Sequence, residues 1–184
     1  NQCVYTLAEN GKNGKVYRLY TATFLGGELL DPVPFPFNSN SYSCRDAVLS
    51  PDGQEIYFSS DMPGGLGGFD IWKCKRENGQ WGKPLNPGKL INSAANETAP
   101  YITVDQESPL LFFASDRDGG FGKSDIYKAT SGNGGWQGAE MLPAPVNSPA
   151  DENSYIFDPQ SQAAYVSSDR KGGKGGYDIY RIRP

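Results

Sequence analysis

Histidine is absent from this chain of 184 residues. Its absence removes imidazole general bases, Ser-His-Asp and Cys-His machinery, and the commonest zinc ligand. Catalysis would have to rest on carboxylates, lysine, tyrosine or a hard metal ion. Cysteine is scarce: Cys3, Cys44 and Cys74 form neither a paired framework nor a metal-binding spacing. Cys3 and Cys44 could pair across neighbouring units in an oxidising compartment, or all three could be separate buried thiols. No apolar run approaches the roughly 20 residues that span a bilayer, so no membrane span is expected. The start, Asn1-Gln2-Cys3-Val4-Tyr5, has no basic region or apolar signal core, which reads as a removed export signal or an excerpt of a longer chain. The net charge of -4 is mixed in sign along the chain and gives no general footprint for nucleic acid. One local cluster, Arg170, Lys171, Lys174, Arg181 and Arg183, reads as a solvated surface, with a functional basic patch as the rival. Long helices are also disfavoured, because 23 glycines and 14 prolines break them.

What the chain has in abundance is repetition. Ser59 to Trp72 reads Ser-Ser-Asp-Met-Pro-Gly-Gly-Leu-Gly-Gly-Phe-Asp-Ile-Trp, and the phrase returns at Ala114 to Tyr127 and at Ser167 to Tyr180. Asp61 and Asp116 are 55 residues apart, Asp116 and Asp169 53. Such a period marks an architecture whose units cannot bury their apolar faces alone. Within the clearest unit, Pro100–Val104 reads as a first strand. Leu110–Ala114, continuously apolar, reads as a second strand buried on both faces. Ser124–Ala129 is a third strand after the glycine-rich turn, and Trp136 through Leu142 a fourth. Four antiparallel strands joined by short turns make one propeller blade.

The preceding unit gives strands near Cys44–Leu49, Ile56–Ser60, Phe69–Lys75 and Trp81–Leu85. The last gives Ser154–Phe157, Ala163–Ser168 and Tyr177–Ile182. A degenerate unit precedes them, with Val4–Gly11 and Lys15–Tyr20 as its second and third strands and Glu28–Leu30 starting its fourth. The expected fold is therefore an all-β propeller of four-stranded antiparallel blades, divided at about 1–37 (partial), 38–90, 91–145 and 146–184 (partial). Two complete and two partial blades suggest part of a larger ring, and an isolated open fragment should self-associate. The connectors repeat as well. Ile91-Asn92-Ser93 with Glu97 matches Val146-Asn147-Ser148 with Glu152, and Phe37-Asn38-Ser39 is an echo without the Glu.

Ser50-Pro51-Asp52-Gly53 through Ser59-Ser60-Asp61, ending in Asp70-Ile71-Trp72, resembles the WD40-like propeller repeat of the TolB type. The longer form, with Gly-Gly-x-Gly-Gly before Asp-Ile-Tyr and Trp plus Asn-Ser beyond it, is similar to repeats in large envelope proteins of Bacteroidota. In those proteins a propeller is joined to tetratricopeptide repeats and a peptidoglycan-binding OmpA-like domain, as in the PorE group of the type IX secretion and gliding machinery. The resemblance implies a periplasmic, outer-membrane-associated protein with protein partners in the cell envelope. It also implies that any peptidoglycan contact lies in domains outside this chain. TolB-type blades also resemble those of prolyl oligopeptidases and oligogalacturonate lyases, which keeps an enzyme or lectin-like reading open.

Sharper site readings lose weight because they recur in every blade. Gly64–Gly68 and Gly172–Gly176 could suggest a phosphate cradle, but they run from strand to strand rather than into a helix. Asp116, Asp118 and Asp125 could offer oxygens to Ca²⁺, yet Pro63 and Lys171 stand where the middle carboxylate would be. Paired glycosidase carboxylates meet the same objection. The preferred reading makes Asp61, Asp70, Asp116, Asp125, Asp169 and Asp178 structural, each accepting backbone N–H bonds at its turn. Trp81 and Trp136 are read as packing between blades, with sugar stacking as the rival. No cofactor and no catalytic residue is expected. Partner-binding residues are sought where the copies differ, at Met62, Pro63, Arg117, Asp118, Arg170 and Lys171, expected at loop tips. The function expected is a non-enzymatic protein-binding scaffold, the alternative a carbohydrate-binding or hydrolase-associated propeller.

Overall fold

The computed structural model describes residues 2–105, 108–132, 134–158 and 160–183. These residues are all-β and fold into successive antiparallel sheets. The first sheet holds β1 (Gln2–Gly11), β2 (Gly14–Leu25) and β3 (Glu28–Pro34). The second holds β4 (Cys44–Leu49), β5 (Glu55–Ser60), β6 (Asp70–Glu77) and β7 (Gln80–Trp81). The third holds β8 (Glu97–Asp105), β9 (Ser108–Ser115), β10 (Asp125–Gly132) and two short pieces on its outer edge, β11 (Gly135–Trp136) and β12 (Glu140–Met141). The fourth holds β13 (Glu152–Asp158), β14 (Ala163–Ser168) and β15 (Asp178–Ile182). Each sheet is one blade of a β-propeller, as the turn-punctuated repeat predicts.

The outer strand is less continuous than expected. The sequence pattern predicts one strand over Trp81–Leu85. In the fold β7 ends at Trp81, and Leu85 returns as an isolated bridge to Lys73. Between them stands Pro84, which has no N–H for a ladder. Trp136–Leu142 is likewise split, around the Gly138 region. The inner strands carry a shared irregularity: β4, β8 and β13 each bulge within three residues of their start. Such bulges bend a strand and locally break its pairing.

The core lies between blades rather than within them. Along β5, Ile56 and Phe58 face one cluster with Leu19, Phe35, Phe37, Cys44, Trp72 and Cys74, whereas Tyr57 faces another. Along β9, Leu111 and Phe113 pack toward the second blade while Phe112 and Ala114 pack toward Tyr155 and Val166 of the fourth. Successive side chains on a strand point to opposite faces. A strand apolar at every position is therefore one sandwiched between two neighbours. Ring stacks fasten these seams: Phe37 on Phe58 and Phe112 on Tyr155, each at 4.6 Å between centroids.

Candidate functional site

The glycine-rich turn is built by its own aspartate. In the third blade, the N–H groups of Phe121 and Gly122 donate to Asp125 Oδ2 at 2.9 and 3.2 Å. In the fourth, those of Lys174 and Gly175 donate to Asp178 Oδ2 at 2.8 and 3.2 Å. In the second, the Leu66 N–H donates to Asp70 Oδ2 and the Gly67 N–H to its Oδ1 at 3.3 Å. The anion cradle suggested by the glycines is thus occupied by an internal carboxylate. The geometry also explains both glycines of each pair. Gly64, Gly119 and Gly172 have φ near +98°, +92° and +102°, where a side chain is strained. At Gly65, Gly120 and Gly173 an added Cβ would lie 2.3, 2.1 and 2.0 Å from that carboxylate.

The other aspartate of each phrase holds the entry to the blade's inner strand. Asp61 accepts from the Ser43 N–H at 2.6 Å, Asp116 from Asn96 N–H at 2.6 Å and Asn96 Nδ2 at 2.8 Å, and Asp169 from Asp151 N–H at 2.8 Å. Among the described residues no group of three or more acidic or cysteine side chains converges as a metal site. Burial raises the Asp125 carboxyl above the ordinary carboxylate range, and its Oδ1 is buried without a partner. In the second blade both oxygens of Asp70 have partners, Oδ1 the Gly67 N–H and Oδ2 the Leu66 N–H together with Asn86 Nδ2 at 3.0 Å. Met141 holds the corresponding position in the third.

Half of the expected loop tips are not tips. Pro63, Asp118 and Lys171 are exposed, but Met62 is buried beside Trp72 and Phe58, and Arg117 and Arg170 turn inward. Arg117 Nη2 lies 3.1 Å from Glu97 Oε1 and donates to the Ile91 carbonyl at 2.6 Å, with its guanidinium 4.5 Å from the Tyr127 ring centre. Arg170 repeats this with Glu152, the Val146 carbonyl and Tyr180. Both glutamates are fully buried and also accept from serines, Ser93 and Ser115 for Glu97, Ser148 and Ser168 for Glu152. In the second blade the register puts Cys44 where Glu97 and Glu152 stand, opposite Ser60, as they lie opposite Ser115 and Ser168. Where the glutamate is missing, the arginine is missing too. The tips differ because one buried ion pair is exchanged for a thiol and a thioether. The signal was present in the sequence: the connector without Glu belongs to the only copy without Arg.

The aromatic positions serve the seams. Trp81 packs on Phe35 at 5.5 Å, and Trp136 meets Tyr57 edge-on at 6.2 Å. Trp72 is buried and its indole N–H donates to the Ser60 carbonyl. All three cysteines are free, so Cys3 and Cys44 are not paired. Burial pushes the Cys44 and Cys74 thiols up to about 11. Within the basic cluster Arg170 is committed to Glu152, while Lys171, Lys174, Arg181 and Arg183 are exposed.

Side chains that differ from blade to blade converge elsewhere. A groove across three blades is lined by Arg45, Thr98 and Asn153 from the inner strands and by Phe69, Ser124 and Tyr177 just before the third strands. Asn96, Asp116 and Asp151 complete it. The Arg45 guanidinium sits 4.3 Å over the Phe69 ring. Tyr177 donates its hydroxyl to Asp151 Oδ2 at 2.6 Å, which raises the phenol to about 12. The groove therefore offers two aromatic faces, one cation and several amide or carboxylate groups. None of its differing residues was singled out from sequence, because they lie 24 to 29 residues apart and come together only when blades sit side by side.

No protein-family model matches the chain, and no curated protein matches it in sequence. Solved structures do. Those similar to it include a TolB of Agrobacterium tumefaciens, with TM-score 0.57 and 18% identity over 99% of this chain. An endo-arabinase of Bacteroides thetaiotaomicron gives 0.57 and 15% over 92%, and an α-L-arabinofuranosidase of Lactobacillus brevis 0.55 and 11% over 94%. The chain spans 58%, 66% and 64% of the lengths of these three proteins. At such identities the likeness shows the fold alone. The chain has a TolB-like β-propeller fold.

Proposed function

We propose that this chain is a non-enzymatic binding platform whose recognition surface is the three-blade groove at Arg45, Phe69, Thr98, Asn153 and Tyr177. One observation carries the reading: the repeated carboxylates are committed to holding turns and strands, while the residues that vary between equivalent positions gather in that groove. Variation placed on a rigid scaffold is what selective binding needs. The partner we favour is a protein of the cell envelope. On the strength of the repeat's sequence resemblance we assign the platform to a periplasmic, outer-membrane-associated, multidomain protein of the OmpA-like group. Peptidoglycan would be held by its other domains, and type IX secretion is the setting.

A second reading draws on the same groove. Phe69 and Tyr177 offer ring faces beside Asn96, Asn153 and Asp151, a combination that suits a sugar ring and its hydroxyls. A photo-crosslinking residue at Asn153, activated in the native envelope, tests the platform: discrete protein adducts that vanish in Arg45→Ala support it. Saturable binding to one sugar on a glycan array, abolished by Tyr177→Ala, with no protein adduct, would replace it with the carbohydrate reading.

A further inference from the structure

The third strand of every blade carries a backbone docking point, and one of the four is open. Leu19, Ile71 and Ile126 are each 0% exposed, whereas Ile179, which follows Asp178 as Ile71 follows Asp70 and Ile126 follows Asp125, is 77% exposed. Each buried point is closed by the asparagine of a connector. Asn38 accepts from the Leu19 N–H at 3.0 Å and donates to its carbonyl at 2.7 Å. Asn92 does this to Ile71 at 2.8 and 2.9 Å, and Asn147 to Ile126 at 2.7 and 2.9 Å. Ile179 pairs with Ser167 in the register that sets Ile71 against Ser59 and Ile126 against Ala114. Its N–H and C=O therefore point away from β14, toward the open edge.

Two further contacts follow Asn92 and Asn147. The Glu97 N–H donates to the Phe69 carbonyl at 2.6 Å and the Glu152 N–H to that of Ser124 at 2.9 Å. The connector also seats its backbone against a glycine. A Cβ on Gly67 would lie 2.1 Å from the Ala95 carbonyl, and one on Gly122 1.6 Å from that of Ala150. Gly175, at the same place in the fourth blade, faces nothing within 4 Å although its backbone does not require glycine.

We propose that the open face of β15 is a docking surface for a further blade of this same repeat, entered through an Asn-Ser connector. The asparagine side chain closes on the Ile179 backbone, the Glu N–H on the Tyr177 carbonyl, and the connector backbone on Gly175. A second copy of this chain does not fit, because Asn38, Asn92 and Asn147 are all engaged within their own copy. The asparagine lies 21 residues beyond its docking point in both complete blades, which sets the span the added segment must respect.

The test replaces residues 181–184 by a second copy of residues 128–182, which restores that span, and follows amide hydrogen exchange. The Ile179 amide is expected to exchange freely in the present chain and to slow by ~100-fold or more in the extended one. Changing the copied asparagine to alanine should abolish that protection. As a second readout, Gly175→Ala should leave Tm unchanged in the present chain and lower it by ~4 °C or more in the extended chain. An added blade that stays unfolded, or that folds while Ile179 exchanges as before, overturns the proposal. So does a Gly175→Ala effect that is the same in both chains.

Discussion

Replacing Arg117 by methionine strands a carboxylate. Glu97 is fully buried and its Oε1 takes hydrogen bonds from Ser93, Ser115 and Arg117. With the guanidinium gone, the two hydroxyls remain but the counter-charge does not. Removing one partner of a buried ion pair typically costs about 3–5 kcal/mol. Arg117 keeps a fifth of its side chain exposed, so the lower end of that range applies. Loss of its bond to the Ile91 carbonyl and of its position over Tyr127 adds roughly 1 kcal/mol. Arg117→Met alone should therefore lower unfolding free energy by about 3–4 kcal/mol. Glu97→Cys combined with Arg117→Met transplants the arrangement that Cys44 and Met62 already make in the second blade. Replacing both members of a buried pair by apolar groups is often nearly neutral. The double variant should then recover at least ~2 kcal/mol relative to Arg117→Met. Urea unfolding followed by tryptophan fluorescence and far-ultraviolet circular dichroism measures all four corners of the cycle. Additive single effects, or a cost below ~1 kcal/mol for Arg117→Met, would refute the claim that this pair is one interchangeable unit.

Asn92→Ala should destabilise by on the order of 3 kcal/mol, because it leaves both backbone groups of the buried Ile71 unsatisfied, and faster exchange of the Ile71 amide would localise the damage. Gly120→Ala should cost about 2 kcal/mol or more by driving the Asp125 carboxylate off the Phe121 and Gly122 N–H groups, whereas Gly138→Ala, with open space around it, should stay within ~0.5 kcal/mol. Equal melting temperatures for those two variants would contradict the turn geometry. At pH 8 iodoacetamide should leave Cys44 and Cys74 unmodified until urea is added, since burial holds both thiols protonated. Their folded pKa values near 11 lie above the unfolded ones, so the folded state holds the proton more tightly. Their contribution is thus complete below about pH 8.5 and lost as pH rises toward 11, a decline in melting temperature that is smaller in a Cys44→Ala, Cys74→Ala chain, where the raised tyrosines, Tyr177 among them, still titrate above pH 10.

The inner three strands were legible because two physical signals agree there. Leu110–Ala114 is apolar at every position, which only a strand covered on both faces can satisfy, and Ser-Pro-Asp-Gly or paired glycines mark where it must turn. The outer strand was not, because its pairing is confined to a few residues around Trp81, Trp136 and Met141. The six aspartates could be read as turn residues from repetition, but their two distinct tasks could not. Asp116 and Asn96 are 20 residues apart, and only the sheet brings them together. Arg117 and Arg170 looked like solvent-facing variation for the same reason, since the glutamate each one neutralises lies on another strand.

Alternate residues of β5 and β9 belong to different cores. The unit of sequence is a sheet, but the unit of packing is the seam between two sheets, half a blade out of step. Any cut placed at a repeat boundary divides a seam, so a single excised repeat inherits two half-cores and no whole one. Duplication within such a gene succeeds only if the new copy offers both faces at once. That requirement binds the neighbours of a blade to its history as firmly as to its fold.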